Sequence, residues 1–217
     1  MARQLLLVPT HFELAMIDPV LLETCDVAIC GFGIATAGTR TAQLLAEFKP
    51  TRVTLIGIAG RIGSTLEIGQ AYRFSEIACY GIGAGTGNNF QTASEMGWKH
   101  WQSVNPNVQG LDRSISDVIC VNEVVKSSVR QASYQLLTVA AASIDIQDVQ
   151  HKTNKFPHAV AEDMEGFAVA VACQFASIPL EVIRGISNHA GDRNKSNWFT
   201  REAMIAAAYL ALGNGNR

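Results

Sequence analysis

Val53-Thr54-Leu55-Ile56-Gly57-Ile58 decides the fold, because this stretch reads as a continuous apolar strand. Such a strand is typical of a sheet that is covered on both faces. A second buried strand is predicted at Leu180–Ser187, near the other end of the chain. Further strands are predicted at Leu5–Val8, Val27–Gly31, Gly69–Tyr80, Ser116–Val121 and the start of Leu136–Ser143, and helices at Thr39–Phe48, Asp163–Ala176 and Trp198–Leu212. This alternation of strands and helices predicts an α/β fold.

The composition indicates one globular domain that spans residues 1–217. Hydrophobic residues make up 48% of the 217 residues and charged residues 17%, which is enough for a full core. The formal net charge of -2 provides no attraction to nucleic acid or to an anionic membrane, so neither partner is expected. The longest nearly apolar run, Ala203–Leu212, is about half the length that a membrane-spanning helix needs.

The N-terminus and the cysteines favour a cytoplasmic protein. No small-residue cleavage site follows the hydrophobic stretch Leu5–Val8, so no signal peptide is expected. The five cysteines are odd in number, lie in apolar surroundings and show no Cys-x-x-Cys spacing. Buried free thiols in a reducing cytoplasm are therefore expected.

Several common types of site are not supported by the spacing of the residues. Gly31-Phe32-Gly33 follows a predicted strand, but a dinucleotide fingerprint needs a third glycine where Thr36 stands. The glycine-rich run 81–87 lacks the lysine of a P-loop. No pair of histidines has metal-ligand spacing and no Gly-x-Ser-x-Gly elbow occurs. Neither a metal nor an organic cofactor is expected.

Two polar segments lie where an α/β sheet binds its ligands, just beyond the carboxyl ends of strands. Glu162-Asp163-Met164-Glu165-Gly166 places three carboxylates at the start of a predicted helix. Taken alone, this pattern is typical of charges that complement a helix dipole on a solvated face. However, Ile183-Arg184-Gly185-Ile186-Ser187-Asn188 carries an arginine inside an apolar run, and a buried charge needs a partner. Together the two segments favour a buried polar site.

Five motifs, in this order along the chain, resemble the nucleoside phosphorylase superfamily, in the branch that contains methylthioadenosine/S-adenosylhomocysteine nucleosidase. The motifs are Thr10-His11-Phe12-Glu13, Gly31-Phe32-Gly33-Ile34-Ala35, Gly57-Ile58-Ala59-Gly60, Asp163-Met164-Glu165-Gly166 and Arg184-Gly185-Ile186-Ser187-Asn188. The last two motifs, at this spacing from each other, are the specific ones. The resemblance implies a three-layer αβα domain around a central mixed, twisted sheet. It also implies a homo-oligomer, a dimer or larger, that acts on a small purine nucleoside.

The resemblance assigns roles in the cleavage of an N-glycosidic bond. The implied set is Glu13 as the general base on water, Met164 and Glu165 at the ribose, Ser187, Asn188 and Ile144 at the purine base, and Arg184, Ile58, Ala59 and Gly60 in support. Asn188 is also implied in catalysis, because it would stabilise the departing base. Arg184 is expected to orient a carboxylate such as Glu13 rather than to touch the substrate.

Within the superfamily, residues 184–198 are most similar to the futalosine hydrolases, which release hypoxanthine from futalosine in an alternative route to menaquinone. Asn188 stands where the adenine-cleaving members have an aspartate. An amide N–H can donate to N7 or to the 6-oxo group of hypoxanthine, whereas an ionised Asp facing O6 would set acceptor against acceptor. Hypoxanthine is therefore the expected leaving base.

Two further departures from the superfamily pattern concern the nucleophile and the base. Leu55 and Ile58 stand where the phosphorylases place an arginine and a hydroxyl for phosphate, so water is the expected nucleophile. No aromatic residue occurs at positions 138–144, where the nucleosidases place one against the base. Stacking is expected instead from Phe90 or Trp198, or as aliphatic contact from Ile144.

The carboxylate at the far end of futalosine should meet a cation. The candidates that the sequence leaves open are Arg61, Arg73, Arg193 and Lys195. Three other functions also remain open: an adenine-type nucleosidase that acts on methylthioadenosine, a purine nucleoside phosphorylase, and a catalytically idle purine-binding module.

Overall fold

The structure is a computed structural model that describes residues 3–103, 114–121 and 133–213. The strands are β1 (Gln4–Val8), β2 (Asp26–Ile29), β3 (Arg52–Arg61), β4 (Ala71–Phe74), β5 (Glu76–Tyr80), β6 (Gly83–Ala84), β7 (Gln91–Thr92), β8 (Val118–Cys120), β9 (Gln135–Val139), β10 (Ala159–Asp163) and β11 (Leu180–His189). The helices are α1 (His11–Leu14), α2 (Pro19–Leu22), α3 (Gly33–Phe48), α4 (Ile146–Lys155), α5 (Gly166–Phe175) and α6 (Thr200–Leu212).

The central sheet is mixed and is organised around the long strand β3. Its order is β2-β1-β3-β10-β9-β5-β8, with β11 beside β3 and β4 beside β11. Strand β3 pairs in parallel with β1 and with β11, and it pairs antiparallel with β10 only at Gly60 and Arg61. Because β3 is apolar and central, helices can cover both of its faces, as the sequence predicts.

Helices pack on both faces of this sheet, which confirms the predicted α/β fold. On one face α3 packs against α5, and the core there includes Leu44, Leu55 and Phe167. On the other face α6 packs against β11 and β3, and the core includes Ile56, Ile183 and Met204. No helix in the described ranges has the length and hydrophobicity needed to cross a membrane. The single-domain prediction for residues 1–217 extends beyond the described ranges and stays a prediction.

Several predicted boundaries were wrong, among them the start of α3, which lies at Gly33 and not at Thr39. The longer elements β10 and α4 and several short ones were not predicted. Asp163 ends strand β10, and helix α5 begins only at Gly166. The predicted strand Gly69–Tyr80 is two strands, β4 and β5, whereas β9 covers the start of Leu136–Ser143, as predicted. Strand β10 was missed because its carboxylates resemble a helix start. Helix α4 was missed because only Val149 and Lys152 of its ten residues are buried, so it shows no apolar stripe.

Candidate active site

The carboxyl ends of four strands bring the predicted site residues to one edge of the sheet. Glu13 lies in α1, directly after β1, and Glu165 lies two residues beyond β10. Asn188 pairs with Gly60, near the end of the register between β11 and β3. Although β10 and β3 run antiparallel, they pair only at the last residues of β3, so their carboxyl ends meet. The site is therefore built at the sheet edge that the strand-end rule predicts.

Glu13 is a buried carboxylate that is held at both oxygens. Its side chain is 5% exposed. The Thr10 hydroxyl donates to Glu13 Oε2 at 2.6 Å, and the Ile58 backbone N–H donates to Oε1 at 3.1 Å. Thr10 is also the N-cap of α1 and accepts from the Glu13 backbone N–H. The rotamer of Glu13 is thus set by its own helix cap and by β3.

Arg184 is fully buried, and its main partner is Asp163. Its Nε donates to Asp163 Oδ2 at 3.0 Å, its Nη2 bonds the same oxygen, and Nη2 lies 3.6 Å from Glu165 Oε2. The prediction that a charge inside this apolar strand needs a partner is confirmed. Arg184 was expected to orient a carboxylate such as Glu13, and the carboxylate that it pairs with is Asp163, at the end of β10.

One nitrogen of Arg184 remains open beside Glu13. Arg184 Nη1 is buried and has no hydrogen-bond partner in the described part of the chain. An ideal Cβ on Gly57 would lie 2.3 Å from Arg184 Nη1 and 2.9 Å from Glu13 Oε1. Both atoms therefore crowd the same glycine, and any side chain at position 57 would displace them. An unpaired buried N–H is costly, and the negative charge of the nearby Glu13 offsets part of that cost.

Glu165 is the third carboxylate near the Arg184 guanidinium. The Gly33 backbone N–H, at the first residue of α3, donates to Glu165 Oε1 at 3.0 Å, so the carboxylate lies at a helix N-terminus. Burial raises the pKa of the Glu165 carboxyl to about 7; Asp163 and Glu13 add to this rise, while Arg184 and Gly33 oppose it. Around the single guanidinium of Arg184, three carboxylates leave a net negative charge.

We expect Glu165→Gln to remove a pH dependence of stability. The pKa of Glu165 is about 7 in the folded protein, whereas the ordinary value of a glutamate side chain is about 4.5. Its neutral form therefore stabilises the fold below pH 4.5, and this contribution, about 3 kcal/mol, is lost as the pH rises through 7. Urea unfolding at pH 5 and at pH 8 measures the effect. The wild type should lose free energy of unfolding between the two pH values, and the variant should lose less.

Glu47→Gln provides the control for that experiment, because Glu47 is an exposed glutamate on α3. It should show the same pH dependence as the wild type. If Glu165→Gln also follows the wild type, Glu165 is already ionised at pH 5 in the folded protein.

Asn188 is held in one amide orientation by its neighbours. The Ser187 hydroxyl donates to Asn188 Oδ1 at 2.7 Å, and Asn188 Nδ2 donates to the His189 carbonyl at 2.7 Å. Because the His189 carbonyl can only accept, the NH₂ group must face it. Ser187 and Asn188 are 1% and 7% exposed. The second N–H of the amide remains available to a ligand.

The residues considered for contact with a purine base lie in different settings. Phe90 is buried and packs on Tyr80 with ring centroids 4.4 Å apart. Trp198 is half-buried, and its ring lies 5.3 Å from the guanidinium carbon of Arg193. Ile144 is 69% exposed on the loop between β9 and α4. Met164 lies between Asp163 and Glu165 and packs against the cluster around Leu137. Ile144 is thus the most accessible of these side chains.

The four candidate cations differ in whether their charged groups are already paired within the protein. Arg73 is paired with Glu181 at 2.6 Å, near the start of β11 and so at the opposite end of the sheet. Arg61 bonds the ring of His189 and donates to the Leu66 carbonyl, so its guanidinium is already engaged. Arg193 and Lys195 remain exposed on the loop after β11, and within the described residues neither makes an ion pair.

Several residues of the site were not assigned a role from the sequence. Thr138 Oγ1 donates to Asp163 Oδ1 at 2.6 Å, and Asp163 Oδ2 accepts from the Gly166 N–H at the start of α5. The position of Asp163 beside Glu165 was a usable signal for its role, and so was the helix-capping spacing of Thr10 and Glu13, whereas nothing in the sequence marks Thr138. Across the described ranges, no group of three or more metal-binding side chains could hold a metal ion.

Comparison with known proteins gives the same assignment at the level of the family. The model of the phosphorylase superfamily matches residues 22–213. A 5'-methylthioadenosine/S-adenosylhomocysteine nucleosidase of Geobacillus sp. is 24% identical over 200 residues, which cover 90% of this chain and 79% of that protein. The ATP nucleosidase Cap17 of Escherichia coli is 26% identical over 82% of this chain, which spans only 38% of Cap17.

Solved structures show the same fold. The 5'-methylthioadenosine/S-adenosylhomocysteine nucleosidase of Neisseria meningitidis, in complex with methylthio-immucillin-A, has a TM-score of 0.74 at 16% identity and covers 98% of this chain and 97% of its own. The corresponding enzyme of Colwellia psychrerythraea, in complex with adenine, has a TM-score of 0.72 at 19% identity and covers 98% of this chain and 94% of its own.

Proposed function

The chain belongs to the phosphorylase superfamily, and we propose that it hydrolyses the N-glycosidic bond of a purine nucleoside, with futalosine as the substrate and hypoxanthine as the released base. The observation that carries the proposal is the fixed amide of Asn188, which has one free N–H at the end of β11. A 6-oxopurine offers acceptors at N7 and O6, and both suit this donor. The relatives named above are, by name, nucleosidases of methylthioadenosine and S-adenosylhomocysteine or of ATP, and Asn188 is the residue that we propose gives this chain a different base preference.

Water is the proposed nucleophile, with Glu13 as its general base. The attacking water is proposed to bind a carboxylate oxygen of Glu13, whose side chain is held in one rotamer. Glu13 could then take a proton from that water as it attacks the sugar carbon, an effect that typically contributes 10² to 10⁴ in rate (about 3–5 kcal/mol). The fixed rotamer of Glu13 supports this role, since a general base must be correctly positioned.

The net negative charge of the site also favours hydrolysis over phosphorolysis. Cleavage builds positive charge on the ribose ring, and ionised Glu165 would accept from the ribose hydroxyls while its charge stabilises the oxocarbenium. A phosphate dianion, by contrast, would face Glu13, Asp163 and Glu165 with a single arginine between them. Leu55 is fully buried, and Ile58 supplies only its backbone N–H, which Glu13 already uses. Neither residue offers phosphate a donor.

Arg193 is the proposed partner of the carboxylate at the far end of futalosine. It stacks on Trp198, whose indole N–H donates to the Asp192 carbonyl at 3.0 Å. The same loop is tied to the base site, because the Phe199 N–H donates to the Ser187 carbonyl at 2.8 Å. An arginine on an aromatic ring is pre-organised for a planar carboxylate.

A homo-oligomer is proposed as the working form. Three exposed phenylalanines, Phe12, Phe32 and Phe199, are 64%, 63% and 52% exposed, and they neighbour Glu13, Gly33 and Trp198 in the chain. Apolar side chains grouped at one edge favour coverage by a second subunit. A partner subunit at this edge would also shield the site from solvent.

One assay tests the proposed activity. Futalosine, inosine and methylthioadenosine are incubated with the protein, each with and without phosphate, and the products are separated by chromatography. We expect free hypoxanthine from futalosine without phosphate, at a higher kcat/KM than any base from the other two nucleosides. Release that requires phosphate would indicate a phosphorylase, and faster release of adenine would indicate an adenine nucleosidase. Release of no base from any of them would indicate a purine-binding module.

A further inference from the structure

A buried lysine on α4 holds the loop that joins β9 to α4. Lys152 is 3% exposed, although it lies on a mostly polar helix. Its Nζ donates to the Ala141 carbonyl at 2.9 Å, to Ser143 Oγ at 2.8 Å and to Asp148 Oδ2 at 3.1 Å. Two of these three acceptors belong to residues 140–145, so the ammonium group of Lys152 fixes the loop between β9 and α4.

A buried carboxylate from β10 holds the same loop from the other side. Glu162 is 6% exposed. Its Oε1 accepts from the Ser143 N–H at 2.9 Å and its Oε2 accepts from the Ser143 hydroxyl at 2.6 Å. Lys152 Nζ lies 3.8 Å from Glu162 Oε2. Lys152, Ser143 and Glu162 thus form one closed network, which we call the loop network.

The loop network links two parts of the candidate site. Glu162 precedes Asp163 and lies three residues before Glu165, on the same strand end. On its other side the loop abuts Gly191, three residues beyond Asn188: an ideal Cβ on Gly191 would lie 2.7 Å from the Asp145 carbonyl oxygen. The loop therefore lies between the end of β10 and the segment that follows Asn188, with Ile144 exposed upon it.

We propose that the loop network is a positioning device for the purine base, which fixes the loop that carries Ile144 against the base held by Asn188. This inference rests on the proposed function. Both oxygens of Glu162 accept from Ser143 and Lys152 Nζ donates to three acceptors of the protein, so neither group is left to act on a substrate. A buried ion pair is also a poor source of stability, because apolar residues of similar volume often serve a core as well or better. A network that ends on loop backbone and a loop hydroxyl is suited instead to holding that loop in one geometry.

Two variants test the proposal without leaving a buried charge unpaired. The double variant Lys152→Met/Glu162→Gln removes both charges together, and Ser143→Ala removes only the hydroxyl that joins them. Lys155→Met is the matched control, because Lys155 lies on the same helix but pairs with Glu95 near the surface. Measurements are kcat and KM for the cleaved nucleoside, the Kd of free hypoxanthine by calorimetry, and the Tm.

We expect the double variant to raise KM and the Kd of hypoxanthine by about 10- to 100-fold while kcat changes by less than about fivefold, because base binding and not bond cleavage is affected. Ser143→Ala should show a smaller change in the same direction, and Lys155→Met none. A lower Tm with KM and Kd within twofold of the wild type would overturn the proposal and leave the network a purely structural feature. So would a double variant that does not fold, if Ser143→Ala leaves KM and Kd unchanged.

The proposed function can fail independently of the loop-network proposal, and the base that the wild type releases shows whether it has failed. If the wild type releases adenine rather than hypoxanthine, the futalosine assignment falls, and the same variants are compared with adenine as the ligand. If the wild type neither cleaves nor binds any purine, both proposals fall together.

Discussion

Glu13→Gln is expected to lower kcat by about 10² to 10⁴ while the Kd of the nucleoside stays within about threefold of the wild type. The amide keeps an oxygen for the Ile58 N–H and can still bond the Thr10 hydroxyl, so both contacts that fix the side chain survive. What is lost is the ability to take a proton from water. Steady-state kinetics measure kcat, and calorimetry with the slow variant measures binding without turnover.

Glu23→Gln is the matched control, since Glu23 is an exposed glutamate ten residues further along the same segment. It should leave both kcat and Kd unchanged. A kcat for Glu13→Gln within about tenfold of the wild type would show that Glu13 is not the base. A large rise in Kd together with a normal kcat would assign Glu13 to substrate binding instead.

The elements predicted correctly are those whose own residues carry the signal. Strand β3 is buried on both faces, so its apolar run is visible without knowledge of its neighbours. Strand β10 shows the opposite case. Its sequence, Ala159-Val160-Ala161-Glu162-Asp163, ends in two buried carboxylates. A carboxylate is buried only when it has a partner, so its burial cannot be predicted until that partner is known. Those partners, Ser143 and Arg184, lie 19 and 21 residues away.

In the candidate site, too, the sequence predicts which elements meet but not which distant partner each side chain bonds. Because strand ends converge at one edge of the sheet, the order of elements is enough to group Glu13, Glu165 and Asn188. The hydrogen bonds that orient these side chains come from distant segments, such as the bond from Gly33 to Glu165 across 132 residues. The pairing of Arg184 with Asp163 rather than Glu13 is of this kind. Only tertiary packing determines which of three nearby carboxylates reaches the guanidinium.

Asn188→Asp is expected to reverse the preference between the two purine bases. In the present site, Asn188 donates through its amide, and the Ser187 hydroxyl fixes which way the amide points. An ionised carboxylate in its place can accept from the 6-amino group of adenine but meets O6 of hypoxanthine as acceptor against acceptor. A mispaired buried polar group costs about 1–3 kcal/mol. The ratio of kcat/KM for methylthioadenosine over futalosine should therefore rise by about 10²-fold.

The change in that ratio is a sharper test than either rate alone, because a damaged site would lower both rates together. The new carboxylate also faces the His189 carbonyl, which now accepts from the amide, so an overall loss of activity is expected besides the shift in preference. Asn154→Asp adds the same charge at an exposed position on α4 and should leave the ratio unchanged. A ratio in Asn188→Asp equal to that of the wild type would mean that another residue reads the 6-position of the base.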